Sequence, residues 1–141
     1  MLRNHDDLGF YVMNSTSILN MDGLVNYLLQ LNESPKEALM RCRRKDSESK
    51  QLAGIVIDNI SYLSHDANSY NLLVRTLKML RKTFGCWILT VSYGLEYYNG
   101  VENALASPHR AGSLTRVPPA FTNEMDAIII RDTDSTARLC S

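Results

Sequence analysis

Hydrophobic positions along this 141-residue chain switch between strand-like runs and helix-like spacing. A short apolar run at 10–13 predicts a strand, and Asn14-Ser15-Thr16-Ser17 predicts the loop after it. Over 22–31, Leu24, Leu28 and Leu31 share one helical face, with Val25 and Leu29 beside them and Asp22 near the cap. A second helix starts at a clear signal. Ser34 is an N-cap, Pro35 takes the first helical position, and Glu37 completes a capping box. That helix carries Ala38, Leu39 and Met40 and continues into Arg41-Cys42-Arg43-Arg44-Lys45. The polar stretch 46–51 reads as a loop.

The next apolar run, Gly54-Ile55-Val56-Ile57, reads as a buried strand closed by Asp58 and Asn59. A loop with Tyr62, His65 and Asp66 follows. Leu72, Leu73, Leu77, Leu80 and Phe84 then mark one face of a helix that Gly85 ends. Residues 86–92 read as a second buried strand. Strand, helix and strand make one βαβ unit, with its two strands parallel. Between 93 and 121 the pattern weakens and is punctuated by Gly and Pro, with helical spacing only around 96–105. The remainder reads as a long loop, and long loops in small domains often carry function. The chain closes on a β-hairpin, with arms 127–131 and 137–140 and a turn at 132–136.

Composition narrows the class. Hydrophobic residues make up 45% and charged ones 21%, ordinary for a globular chain long enough to bury a core. The formal net charge is zero, which argues against a surface that grips a polyanion all over. A local basic patch stays open, because binding follows the local field. Three widely spaced cysteines, Cys42, Cys86 and Cys140, suit a reducing compartment better than a disulfide scaffold. The apolar runs are too short to span a bilayer, and residues 1–7 lack the apolar segment of a signal peptide. The expectation is an intracellular protein with no membrane partner.

Four features carry candidate chemistry. Asp58 ends a strand, where it either holds magnesium beside a bound nucleotide or accepts hydrogen bonds in a turn. No Gly-Lys pair occurs in the chain, so the phosphate loop that would share such a magnesium is absent from it. Arg75, Lys78, Arg81 and Lys82 lie opposite the leucines of their helix and read as its solvated outer face. Arg41, Arg43, Arg44 and Lys45 form a denser cluster. It suits either phosphates or the dipole of a helix carboxyl end. Residues 108–116 are basic and free of acids, and could follow a nucleic-acid backbone, with Tyr97 and Tyr98 available to stack. His5, His65 and His109 lie far apart, and no serine sits in a nucleophile elbow. Catalysis is not expected, and no cofactor is implied.

The order of these segments resembles the RecA-type recombinase core: a strand ending in Asp, a helix, a strand, a long loop and a terminal hairpin. The wording is closer still to one divergent branch of recombinase paralogues, the platinum-sensitivity subunits of the fungal Shu complex. The matching stretches are Ser34-Pro35 through Ala38-Leu39 to Arg41-Cys42, and Gly54 to Asn59. Leu80-Arg81-Lys82, Gly85-Cys86-Trp87-Ile88, Tyr98-Asn99-Gly100 with Glu102-Asn103, and Met125-Asp126 before Ile129 follow in order. The similarity runs from about 11 to 131.

The resemblance implies a partial RecA-like α/β domain over 1–141, with a parallel sheet, flanking helices and a C-terminal hairpin. It implies a nuclear, non-catalytic accessory factor in homologous recombination and error-free tolerance of DNA damage. Such a factor pairs with a second Shu subunit of RecA-like fold, binds DNA and helps the recombinase filament assemble. Asp58 becomes a vestigial magnesium position. The loop 95–121 matches the second DNA-binding loop of recombinases, with His109, Arg110 and Arg116 as phosphate contacts. Arg41, Arg43, Arg44 and Lys45 are possible additional ones. Two departures stand out. The family carries a denser Lys/Arg run in that loop, which shifts DNA binding toward the partner. It also carries further residues before the segment matching Tyr11, where the first core strand belongs. Without that strand the sheet has an open edge, and a fragment or shortened paralogue is the expectation. An ATP-binding subunit whose phosphate loop lies elsewhere, and a scaffold without DNA contact, remain open alternatives.

Overall fold

The computed structural model describes residues 11–13, 16, 18–40, 43–44, 51–63, 66–93, 117–131 and 137–140. Strand β1, Tyr11–Val12, pairs antiparallel with β2, Arg43–Arg44, placing Tyr11 opposite Arg44 and Val12 opposite Arg43. Helix α1 spans Met21–Glu33. Its cap is Asn20, whose side chain accepts from the Gly23 N–H at 2.8 Å, so Asp22 lies inside the first turn. Helix α2, Pro35–Met40, begins on the proline as expected. It stops before the arginines. Arg43 and Arg44 do not extend the helix, because their backbone pairs instead with β1, a partner distant in sequence.

Strand β3 is Gly54–Asp58, with the predicted bounds, and β4 is Trp87–Val91. They pair in parallel, Gly54 opposite Trp87 and Asp58 opposite Val91. Between them lie a 3-10 turn at Ile60–Tyr62 and helix α3, Ala67–Phe84. The helix starts earlier than its leucines suggest, because Asp66 caps it by accepting from the Ser69 N–H at 3.1 Å. It ends where Gly85 turns left-handed at φ 63° and its N–H donates to the Arg81 carbonyl. A short helix α4, Pro119–Thr122, leads to the hairpin β5, Ile128–Arg131, and β6, Ala137–Cys140. Arg131 pairs opposite Ala137, matching the predicted arms, and the hairpin forms its own sheet. The fold is mixed α/β, with a small parallel sheet flanked by helices.

One core binds these pieces. Leu24, Val25, Leu28 and Leu31 of α1 pack with Leu73, Leu77 and Leu80 of α3 and with Ile57 and Ile60. Leu72 falls outside this face and is 46% exposed; Tyr70, Val74 and Thr76 are buried instead. The reason is phase. Residues 73, 77, 80 and 84 repeat at helical spacing, and 72 lies about 100° off that stripe.

Helices α1 and α3 run side by side in the same direction. The Met21 N–H donates to the Leu63 carbonyl just before α3 starts, and Thr83 near its end donates to Asn32 near the end of α1.

The two parallel strands are covered on one face. Ile57 is buried and Ile55 and Ile88 pack against the core, while Val56, Trp87, Leu89 and Val91 face outward and are exposed. This corrects the expectation of two buried strands. A parallel pair usually has both faces covered, and among the described residues only the inner face is.

Candidate nucleic-acid interface

The carboxyl ends of β3 and β4 come together at Asp58 and Val91. Immediately beyond them the chain makes a tight, well-bonded corner. The Asp58–Asn59 peptide is cis. Asn59 caps the 3-10 turn, its Oδ1 accepting from the Ser61 N–H at 2.8 Å. Ser61 is buried, and its Oγ accepts from the Tyr93 N–H at 2.8 Å. That bond ties the chain just beyond β4 to the 3-10 turn that follows β3. Above it the rings of Tyr62 and Tyr93 meet edge to face, centroids 5.5 Å apart and planes at 72°.

The segment 94–116, which holds His109, Arg110 and Arg116, leaves from Tyr93 and returns at Val117. Its return point is anchored near the same end of the sheet. Val117 and Phe121 are buried in the core. Phe121 meets Tyr70 edge to face at 5.7 Å, and the Tyr70 hydroxyl donates to the Ile60 carbonyl at 2.9 Å. From there the chain follows α3 away from this edge, since Lys78 pairs with Glu124 and Arg81 pairs with Asp126 at 2.8 Å. Both flanks of 94–116 are therefore held at the carboxyl edge, where ligands of open α/β sheets bind.

The structure treats the sequence candidates unequally. Asp58 is exposed at the end of β3. Among the described residues, no group of three His, Cys, Asp or Glu side chains is placed to hold a metal ion. A lone carboxylate holds magnesium only together with waters and substrate phosphates, and no ligand cluster surrounds Asp58 among the described residues. Arg43 and Arg44 lie in β2. Arg41, Lys45, His109, Arg110, Arg116, Tyr97 and Tyr98 lie outside the described residues. On α3, Lys78 and Arg81 spend their charge on Glu124 and Asp126, in line with a solvated outer face. Burial pushes the Cys86 thiol up, outweighing a backbone hydrogen bond and the Arg81 charge, which both pull it down.

Sequence reasoning missed Ser61, Tyr62 and Tyr93 as a unit. The available signal was Asn59-Ile60-Ser61 directly after a strand, a spacing that favours an Asx turn.

The chain is 37% identical over 140 residues to platinum sensitivity protein 3 of Saccharomyces cerevisiae (strain ATCC 204508 / S288c). The match covers 88% of this chain and 57% of that protein, so the chain spans little more than half the length of its curated relative. Residues 2–134 match the family described as Shu complex component Psy3, DNA-binding description, and the chain belongs to that family.

Proposed function

We propose that this chain is a non-catalytic, DNA-contacting subunit of a Shu-type complex. The observation that carries the reading is the family match over residues 2–134, whose description names both the complex and DNA binding. The geometry supports it. Both flanks of 94–116, the segment that contains His109, Arg110 and Arg116, are pinned at the carboxyl edge of the parallel sheet. In this reading these three residues contact phosphates. Arg41, Arg43, Arg44 and Lys45 supply further contacts, and Asp58 is a vestige of a magnesium position.

The architecture is read as part of a RecA-like domain. The partner is a second Shu subunit of similar fold, and the pair acts in the nucleus. Its work is to promote recombinase filament assembly during homologous recombination and error-free damage tolerance. The open outer face of the sheet, with Val56, Trp87, Leu89 and Val91, favours a second reading in which protein contact dominates and DNA is held mainly by the partner.

The test is fluorescence anisotropy with labelled DNA at two salt concentrations, on the chain co-expressed with a candidate Shu partner. Arg110→Ala and Arg116→Ala should each weaken binding regardless of DNA sequence and lower the salt slope by about one. Unchanged binding in both variants would leave the protein-contact reading standing.

A further inference from the structure

The 18 residues of helix α3 include four cations and no acid. Glu124 takes Lys78, and Asp126 takes Arg81. Arg75 and Lys82 are exposed and have no acid partner among the described residues. They stand two turns apart on one line, about 10 Å along the axis, on the side opposite the buried Leu73, Leu77 and Leu80. A second line runs beside the first and holds Leu72 and Met79, also two turns apart. Leu72 is 46% exposed and Met79 is half-buried, and neither packs into the core. From Leu72 through Arg75 and Met79 to Lys82 the steps are three, four and three residues. That alternation makes the narrow seam along which one helix packs on another. Here the seam alternates apolar and cationic side chains.

We propose that this seam docks an amphipathic helix of a partner protein, one that carries acids two turns apart with apolar residues between them. Such docking is separate from the DNA-contacting reading and stands whether or not that reading holds. Charge selects the occupant. Glu124 and Asp126 have already matched half of the positive charge on α3, and the unmatched half lies on the seam. Acids seven residues apart on a facing helix repeat the spacing of Arg75 and Lys82, so a single register meets both cations. Complementary charge of this kind fixes register and excludes basic helices. The apolar half of the seam points to the same partner. Leu72 offers nothing to a phosphate, whereas an apolar side chain removes it from water. A nucleic-acid backbone draws its affinity from many cations, and only two are left unmatched here, beside two carboxylates.

The experiment uses the full chain and two labelled synthetic helices of three heptads each. One alternates Leu and Glu along its seam, and the other has Lys in place of each Glu. Anisotropy should show the parent binding the acidic helix, less tightly as salt rises, and ignoring the basic one. Arg75→Glu combined with Lys82→Glu should raise the Kd for the acidic helix at least about tenfold and create binding to the basic one. Leu72→Ala should weaken the acidic helix about fivefold and leave the salt dependence of its binding as in the parent. All three positions are exposed, so each variant should melt like the parent by circular dichroism. A parent that binds neither helix overturns the proposal. So does acidic-helix binding that survives the charge reversal in a folded variant. If Arg75→Ala and Lys82→Ala leave helix binding alone but lower the salt slope for DNA, the seam belongs to nucleic acid and the protein partner is ruled out.

Discussion

The indole of Trp87 lies on Gly54, its direct partner in the parallel register, in the space a side chain there would need. A Cβ on Gly54 would stand 2.1 Å from Trp87 Cε2. The missing side chain lets an aromatic ring rest on the neighbouring strand, a cross-strand contact that compensates for the weakness of glycine in a strand.

Gly54→Val should therefore force the indole off the sheet. Trp87 is the only tryptophan, so its fluorescence reports the change directly. The expected result is a red-shifted emission and a stability loss of about 1–3 kcal/mol, as for other overpacked sites. An unshifted spectrum would mean the ring is not seated on Gly54.

The two faces of β3 should respond differently to truncation. Ile57 is buried in the core, while Val56 points out with 56% of its surface exposed. Ile57→Ala should cost about 2–4 kcal/mol in urea unfolding. Val56→Ala should cost less than about 1 kcal/mol. Similar losses at both positions would show that the outer face is covered in solution.

Lys78 and Arg81 join α3 to Glu124 and Asp126 on the surface. Exposed pairs contribute little, so Lys78→Ala and Arg81→Ala should each change stability by less than about 1 kcal/mol. Their charges are already matched, so DNA binding and its salt slope should not move. A fall in the slope with either variant would place α3 in the DNA interface.

Cys86 should make stability fall in alkali. Burial raises its thiol pKa in the folded state, so the folded chain holds that proton more tightly than the unfolded one. The contribution is complete below the unfolded thiol's pKa and is lost as pH rises through the folded value. Urea midpoints taken from neutral pH to about pH 10 should drop more for the parent than for Cys86→Ala. With Cys42 and Cys140 changed to Ser, Cys86 should react with a thiol reagent far more slowly in the folded chain than in urea. Equal rates would show that the site opens readily.

Much of the backbone plan was legible beforehand. The bounds of β3, the αL stop at Gly85, the proline start of α2 and the arms of the hairpin all match. Each is written in local chemistry: an apolar run between polar residues, a glycine that tolerates positive φ, or a proline preset for a first turn. What was misread depends on distant partners. Arg43 and Arg44 follow a helix and look like its end, but their backbone is claimed by Tyr11 and Val12. Leu89 and Ile88 look equally apolar, yet only Ile88 packs inward. The candidate site shows the same division. The basic stretch 108–116 was visible as composition, whereas Tyr62 and Tyr93 meet only because the Tyr93 N–H reaches Ser61, 32 residues back in the chain.

By itself the sequence determined the order of elements and their family, because hydrophobic period, caps and breakers act over a few residues. Only the tertiary structure decided which sheet face stays open, and that both flanks of 94–116 sit at one edge. It alone showed which cations are already paired and which tyrosines meet. Those outcomes depend on parallel register and helix docking, where residues far apart in the chain compete for the same space and the same hydrogen bonds.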